Sequence, residues 1–402
     1  MDLNKIKSLA ERYFSEMVEI RRHLHQYPEV SYKEYETTKF IINKLEELGI
    51  PYERPLETGC VGILEGGKPG EKVVALRTDI DALAMQEEGE HKQEFISRNK
   101  GVAHCCGHDG HMANMLGVAH ILSELKDEIE GKVLLIFQPA EEKLPGGGRL
   151  LCETGFLQEQ GVDVIYGLHM IPSLKPGEIG IRKGPLMARP DEFKIEIIGT
   201  GGHAAAPQST VDPIVVAAEV VSAVQTIVSR NVDPTEPAVV TIGKISGGTT
   251  HNVIPERVEM LGTIRTFSEE TTRMISGRIE SLVKGISEAN GASYGFDFYP
   301  GYPAVINTDW AVDTLKNTAT RLFGEHGVHE LEKPIMAGED FAFYQQHFPG
   351  SFFFLGSGSE ESGSVYTWHH PRYNIDEQAF KTGAALMASL AFQPIEKDSS
   401  DE

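Results

Sequence analysis

The sequence has 402 residues, and its 40% hydrophobic and 24% charged content is typical of a folded globular protein rather than a disordered one. Its 59 acidic and 37 basic residues give a formal net charge of -22, which disfavours nucleic acid and anionic membranes as partners because both attract basic surfaces. Four cysteines are too few for a disulfide scaffold, and a chain of this length predicts two domains.

The amino-terminal segment, residues 1–14, is charged and has helical spacing, without the apolar stretch of a secretory signal. No run of 18 apolar residues is present, so we expect no membrane span. Together with the few cysteines, these features predict a cytoplasmic protein in a reducing compartment.

The first part of the chain alternates predicted helices and strands, which favours an α/β fold with a mostly parallel sheet. Helices are indicated by apolar residues three or four positions apart, and strands by short apolar runs. In chain order the elements are helices at 4–26 and 34–48, strands at 61–66 and 72–80, a helix from Gly110 to Lys126, a strand at 132–142, the glycine-rich loop 145–148 and a strand at 162–170.

A second unit is predicted to begin near Arg189, where strands stand beside two long helices in an α+β arrangement. We place this inserted domain at 188–297, so that 1–187 and 298–402 form one discontinuous domain. The inserted elements are strands at 192–201, 238–248 and 257–267 and helices at 212–230 and 271–291. Residues 376–393 predict the last helix, and 396–402 a polar tail.

Side chains that can bind a metal ion follow the predicted strands. In an open α/β sheet the carboxyl ends of the strands form the binding edge, so these side chains are expected to lie together. Imidazole, carboxylate and thiolate groups suit Zn²⁺, Mn²⁺, Co²⁺ or Ni²⁺. The candidates are Asp79, Asp81, Glu141, Glu142, His169, His369, His370 and those of the stretch AHCCGHDGHM at 103–112.

Each of these signals has a plainer explanation. Adjacent glutamates such as Glu141 and Glu142 are usually a solvated surface pair, and a single histidine at a strand end is usually structural. Cys105 and Cys106 could be inert buried thiols, since neighbouring cysteines form a disulfide only with strain. No CxxC is present, so neither a zinc knuckle nor a thioredoxin-like redox motif is supported.

Nearly the whole chain resembles the M20 metallopeptidase superfamily, in its amidohydrolase branch of aminoacylases, hippurate hydrolases and indole-acetyl-amino-acid hydrolases. The resemblance implies a catalytic metal-binding domain with helices on both faces of its mixed, mostly parallel sheet, and an inserted α+β lid that also forms dimers. The motifs that carry it are RRHLHQYPEVSYKEYETT, ALRTDIDAL, HCCGHDGHMANMLG, FQPAEE with PGGG, GLHMIPSLKPGEIGIRKG, GTGGHAAAPQSTVDPI, GGTTHNVIPERVEMLGTIRTF, AGEDFAFY and HHPRYNIDE.

The resemblance implies two divalent metal ions in each subunit, with a cysteine where other branches use a bridging aspartate. Glu141 falls on the catalytic base, which moves a proton from the attacking water to the leaving amine. The implied metal ligands are Cys106, His108, Glu142, His169 and His369.

Neighbouring polar residues are given supporting roles. Asp79, Asp81 and Asp109 fall where carboxylates orient the ligating histidines. His104 and His111 are expected near the site without binding metal. Cys105 and His370, although adjacent to implied ligands, are interpreted as bystanders.

Four residues outside the metal centre complete the implied site. His203 matches a lid histidine that stabilises the oxyanion, in related enzymes at the active site of the partner subunit. Asn252 and Arg265 match residues that hold the carboxylate of the substrate. Gly338, with Glu339, belongs to a loop that lines the site.

The implied function is metal-dependent hydrolysis of N-acyl-L-amino acids, small molecules, by a homodimer or higher homo-oligomer. A dipeptidase or carboxypeptidase of the same superfamily is the alternative, and a metal- or amino-acid-binding protein without turnover is a second rival. Ala84, Ala206 and Gln208 depart from the usual family residues. These departures weaken any transfer of substrate preference from one relative.

Overall fold

The computed structural model describes residues 2–395, so the predicted tail at 396–402 lies outside the described residues. The helices are α1 (Leu3–Gln26), α2 (Tyr35–Glu47), α3 (His108–Glu124), α4 (Gly147–Glu153), α5 (Phe156–Gln160), α6 (Pro213–Asn231), α7 (Glu269–Ala289), α8 (Asp309–Phe323), α9 (Ala342–Gln345) and α10 (Ala379–Leu390). The strands are β1 (Tyr52–Glu53), β2 (Cys60–Glu65), β3 (Lys68–Asp79), β4 (Glu130–Gln138), β5 (Val164–Ile171), β6 (Ile179–Ile181), β7 (Gly184–Met187), β8 (Arg189–Ile198), β9 (Gly202–His203), β10 (Val239–Gly247), β11 (Val253–Ile254), β12 (Arg257–Thr266), β13 (Ser293–Tyr299), β14 (Val305–Asn307), β15 (Val328–Glu330) and β16 (Gly350–Gly356).

The chain divides into two compact units. Unit 1 comprises the described residues of Met1–Leu186, Ile306–Pro334 and Asp340–Glu402. Unit 2 comprises Met187–Val305 and Ile335–Glu339.

Unit 1 is built on a mixed sheet whose order, across its described strands, is β1-β2-β4-β3-β5-β16-β6-β15. The central pairs β4–β3, β3–β5 and β5–β16 are parallel, whereas β2 pairs antiparallel with β4 and with β1. The parallel centre and the helical layers agree with the predicted α/β class. Because β3, β4 and β5 run in one direction, their carboxyl ends meet at the same edge, where binding sites form in such sheets.

The sheet has helices on both faces. On one face α1, α3 and α10 pack together over alternate strand residues such as Leu76, Leu135 and Tyr166 in one apolar core. On the other face Gly167 lies against Phe341, which directly precedes α9. Alternation along the strands therefore sends Arg77 and Gln138 to this second face, where both are fully buried.

Two boundaries differ from the sequence prediction near the expected metal site. Helix α3 begins at His108 and not at Gly110, because Gly107 adopts a left-handed conformation (φ 95°) that ends the preceding loop. The predicted loop 145–148 ends at Gly146, and Gly147 already begins α4. A side chain at Gly147 would overlap the carbonyl of Pro139, so this close approach requires glycine.

Unit 2 contains a sheet of order β10-β12-β8-β13, antiparallel throughout, covered by α6 and α7. Its core is formed by residues such as Ile195, Val220, Met260 and Ile279. Helix α6 begins where the sequence predicted, with the Asp212 carboxylate accepting the Ile214 N–H at 2.9 Å and Pro213 in the first turn. Two strands, β9 and β11, form a separate antiparallel pair.

Among the described helices, α6 is long and apolar enough to cross a membrane when judged by length and composition alone. Its residues Val216, Val220, Val224 and Ile227 are nevertheless buried in the core of unit 2. A core helix of a folded domain passes the same test, so this composition is a weak argument for a membrane span.

Candidate metal centre

The histidines and carboxylates implied by the sequence meet at the carboxyl edge of the unit 1 sheet. Asp79 ends β3, and Glu141 and Glu142 follow β4 by three and four residues. His169 lies within β5, and His108 is the first residue of α3. The fold thus brings residues from distant parts of the chain to one place.

The potential ligand atoms form overlapping groups centred on Cys106. Cys106, His108 and His169 have ligand atoms within 4.8 Å of one another, and so do Cys106, Glu142 and His369. Cys106 Sγ lies 3.4 Å from His169 Nε2, and His369 Nε2 lies 3.2 Å from Glu142 Oε1. Two ligand groups that share one sulfur have the composition of a site for two neighbouring cations.

Backbone carbonyls orient two of the histidines. His108 Nδ1 donates to the carbonyl of Asp81 at 2.8 Å, and His169 Nδ1 donates to that of Met170 at 2.9 Å. In the neutral rings these contacts place the hydrogen on Nδ1, so that the Nε2 lone pair can bind a metal ion. In the described structure His108 Nε2 is buried and has no hydrogen-bond partner, which fits a metal ligand.

His111 is differently placed. Its Nδ1 lies 2.7 Å from Asp79 Oδ1, and its Nε2 accepts the N–H of Met170 at 2.9 Å. Although His111 forms a further possible ligand group with Asp79 and His108, both of its ring nitrogens already have partners. It connects β3 to the backbone beside His169.

Asp81 holds the turn that carries the two glutamates. Its Oδ1 accepts the N–H of Glu141 at 3.1 Å, and its Oδ2 accepts that of Glu142 at 3.0 Å. Burial opposes ionisation, but hydrogen bonding and charge from His108 lower the pKa of Asp81 below its ordinary value. The ionised carboxylate is therefore the form that fixes this turn.

The electrostatics of the cluster favour added positive charge. Burial, with the charges of Glu142 and Glu141, raises the pKa of the Cys106 thiol well above its ordinary value. Burial lowers the pKa of His108, but Asp79, Asp81 and Glu142 outweigh it and raise that pKa to about 10. A thiolate at this position thus needs a cation beside it, as metal binding supplies.

Glu141 is 6% exposed, with its Oε2 4.0 Å from His108 Nε2.

His369 has an unusual backbone for a non-glycine residue (φ 62°), and its N–H donates to the carbonyl of Cys105 at 2.8 Å. The conformation turns the imidazole of His369 toward Glu142. Strained backbone of this kind persists where the surrounding contacts enforce it.

The neighbours of the ligands have structural contacts of their own. The side chains of Cys105 and Cys106 are both buried, and neither they nor the other two cysteines form a disulfide. His370 stacks on Tyr366 with ring centroids 4.4 Å apart, and its Nδ1 accepts the N–H of Arg372. His104 is buried, and burial lowers its pKa to about 4.

Asp109 anchors the start of α3 to α1. Its Oδ2 accepts from Arg21 Nε at 2.9 Å and lies 2.8 Å from His25 Nδ1. All three side chains are buried. Asp109 therefore fixes the position of α3, and with it His108, without offering a ligand.

The remaining predicted residues lie in unit 2. His203 in β9 is exposed and pairs with Val253 of β11, and its Nδ1 accepts the N–H of Ala205 at 3.0 Å. The carbonyl of Asn252 accepts the N–H of Ala204, so Asn252 and His203 are neighbours. Arg265 in β12 is partly buried and donates to the carbonyl of Ile264, whereas Gly338 lies beside Pro190.

Residues that the sequence interpretation left without a role also support the site. Arg77 donates to Asp79 Oδ2 at 2.9 Å and to Asp340 Oδ1 at 2.8 Å, next to the candidate metal ligands. Glu34 accepts the N–H of Ala140 at 2.8 Å, immediately before Glu141. Both belong to motifs quoted above, but spacing alone gave no sign of these contacts.

Known proteins resemble this chain over most of its length. The model of Peptidase family M20/M25/M40 matches residues 75–393. An N-acyl-L-amino acid amidohydrolase of Geobacillus stearothermophilus is 47% identical over 310 residues, covering 77% of this chain and 82% of that protein. Thermostable carboxypeptidase 1 of Saccharolobus solfataricus is 40% identical over 400 residues, covering 97% and 98%.

The structure of a dinuclear metal binding M20 peptidase from Bacillus subtilis superimposes with a TM-score of 0.80 at 36% identity, covering 95% of this chain and 98% of that one. Family match, identity and fold agree across both units. The chain belongs to the M20/M25/M40 family of peptidases.

Proposed function

We propose that this protein is a metal-dependent amidohydrolase that cleaves N-acyl-L-amino acids into a carboxylate and a free amino acid. The observation that carries the proposal is the placement of the Nε2 atoms of His108 and His169 around buried Cys106, each ring oriented by a hydrogen bond from its Nδ1, with Glu141 alongside. The resemblance to an N-acyl-L-amino acid amidohydrolase at 47% identity supports the substrate class.

We assign Cys106, His108, Glu142, His169 and His369 as the ligands of two divalent cations, Zn²⁺, Mn²⁺, Co²⁺ or Ni²⁺. When bound, the cations polarise the amide carbonyl and acidify water. Glu141 accepts the proton of the attacking water and transfers it to the leaving amine. The turn held by Asp81 allows Glu142 to ligate while Glu141 faces the reacting atoms.

The inserted domain at 188–297, which lies within unit 2, is proposed to act as a lid. The Nδ1 of His203 accepts a hydrogen bond, which leaves Nε2–H as a donor to the oxyanion. We assign substrate binding to Asn252, Arg265 and Gly338. The guanidinium of Arg265 would hold the carboxylate of the substrate.

A homodimer through unit 2 is supported by its exposed edge strand. Strand β10 lies at the edge of its sheet and exposes Val239 and Ile245, the latter by 54%. An edge strand that exposes apolar side chains can pair with another chain. The four free cysteines support a reducing, cytoplasmic location.

The test is hydrolysis by the metal-loaded protein of acetyl-, benzoyl- and indole-acetyl-amino acids beside dipeptides. We expect acyl-amino acids to be cleaved, a chelator to abolish the reaction, and Glu141→Gln to lower kcat by about 10²–10⁴-fold with its metal retained. Faster cleavage of dipeptides would favour the peptidase alternative. A parent that binds metal but cleaves none of these compounds would contradict the proposal.

A further inference from the structure

The turn between β4 and α4 presents three consecutive backbone N–H groups to carboxylates. Those of Glu141 and Glu142 donate to Asp81, and that of Ala140 donates to Glu34 Oε1 at 2.8 Å. Ala140 has a φ of 54°, in the left-handed region that alanine rarely occupies. Because this conformation is strained, surrounding contacts must hold the Ala140 backbone in it. If the Ala140 backbone relaxed, the neighbouring Glu141 side chain would change direction.

Glu34 is suited to hold it. Its side chain is fully buried just before α2, and its Oε2 accepts from Thr58 Oγ1 at 2.9 Å while Oε1 accepts from Ala140. A buried carboxylate is costly unless such donors satisfy it. Glu34 is outside the ligand set assigned above, so its burial needs another explanation.

The residues just before Glu34 contact the same turn. Tyr32, also in the left-handed region (φ 66°), donates its hydroxyl to the carbonyl of Lys143 at 2.9 Å and accepts from the N–H of Gly146 at 3.2 Å. Ser31 Oγ donates to Asp81 Oδ2 at 2.6 Å. Residues 31–34, here called the clasp, therefore contact both ends of the turn. They also contact Asp81, whose carboxylate accepts hydrogen bonds from the turn.

We propose that Glu34 is a positioning residue for catalysis, which sets the direction of Glu141 by fixing the backbone of Ala140. The inference rests on the proposed function, because it assigns to Glu141 the proton transfer described there. It gives a segment 106 residues earlier in the chain a part in positioning Glu141. Glu34 acts through its hydrogen bond with the N–H of Ala140 and not through the charge of its carboxylate.

Two conservative variants separate these roles. Glu34→Gln loses the charge but keeps an oxygen that can accept from Ala140, while its amide donates to Thr58. Glu34→Asp keeps the charge but withdraws the carboxylate by one methylene from the 2.8 Å contact. Glu36→Gln, at an exposed position in the first turn of α2, is the matched control.

The measurements are kcat and KM of the metal-loaded proteins on the acyl-amino acid that the parent cleaves fastest. We expect Glu34→Asp to lower kcat by about 10- to 100-fold with KM within about twofold, as misplaced catalytic groups do. Glu34→Gln and Glu36→Gln are expected within about twofold of the parent. Equal losses in both Glu34 variants, a smaller loss in Glu34→Asp, or no loss in either would overturn the inference.

A second readout needs no turnover. The visible absorption of Co²⁺-loaded protein reports the geometry of Glu142 in the same turn. Glu34→Asp should shift these bands at unchanged cobalt content, whereas Glu34→Gln should match the parent. An unshifted spectrum in Glu34→Asp contradicts the inference, while a parent without turnover contradicts only the proposed function.

Discussion

Asp81 holds His108 through both its main chain and its side chain. The His108 Nδ1 donates to the Asp81 carbonyl at 2.8 Å and lies 3.3 Å from its Oδ1. The same carboxylate accepts the N–H groups of Glu141 and Glu142. The buried residue Asp81 thus fixes both His108 and the turn that carries the two glutamates.

Replacement of Asp81 by asparagine should weaken metal binding. An amide offers one accepting oxygen and points an N–H₂ group at one of the two backbone donors, so the turn cannot keep both bonds. We expect affinity for Zn²⁺ to fall about 10- to 100-fold, as when supporting groups of a metal site are removed. Competition with a chromogenic chelator measures this affinity, and Asp313→Asn, at a half-exposed position of α8, should leave it unchanged. Parent affinity in Asp81→Asn would refute the assigned role.

The two adjacent cysteines should behave oppositely. Cys106→Ala removes the sulfur shared by both ligand groups, so bound metal and activity should be lost together. Cys105→Ala should keep both, because only the Cys105 carbonyl contacts a ligand residue. Metal content after dialysis, together with kcat, checks the pair. Retention of metal by Cys106→Ala would remove this cysteine from the site.

The two adjacent histidines offer a similar comparison. His369→Ala should lower metal content, since His369 Nε2 lies 3.2 Å from Glu142. His370→Ala should retain it, because His370 stacks on Tyr366 instead. Metal stoichiometry at limiting Zn²⁺ distinguishes the variants, and equal losses would contradict the assignment of His369 alone.

The stability of the metal-free protein should depend on the protonation of Glu34. Burial, and then the charge of Asp81, raises the pKa of Glu34 from 4.5 to about 7. Because the folded state binds this proton more tightly, its stabilising effect is fully present below about pH 4.5 and is lost as the pH rises through 7.

Urea unfolding in chelator therefore separates the parent from Glu34→Gln. Between about pH 5 and pH 8 the parent should lose up to about 3 kcal/mol relative to this variant, as linkage requires. Glu36→Gln, which changes an exposed side chain, should follow the parent at every pH. A constant difference between parent and Glu34→Gln would show that Glu34 does not titrate in this range.

The sequence predicted those parts of the fold that depend on local periodicity. Helix α1, predicted at 4–26, spans Leu3–Gln26 because its apolar residues repeat regularly. The start of α3 was placed two residues late, since the left-handed conformation of Gly107 depends on packing: a side chain there would lie 2.8 Å from Tyr373 Oη. Such contacts have no local signature.

The residues proposed as ligands come from motifs in the sequence, whereas the contacts that hold them in place could not be predicted from it. Glu34 and Ala140 are 106 residues apart, and Arg77 and Asp340 are 263 apart. Each pair meets only in the folded protein, which brings together segments that are distant in the chain. A carboxylate in a helix-start position such as Glu34 otherwise resembles any solvated glutamate.

The proposed two-metal centre is tested most directly by anomalous diffraction from crystals of the metal-loaded protein with the amino-acid product bound. We expect two metal peaks on either side of Cys106 Sγ, with Glu142 and His369 ligating one metal and His108 and His169 the other, and the product beside Glu141. A single metal without Cys106 as ligand, or metals bound elsewhere in unit 1, would contradict it.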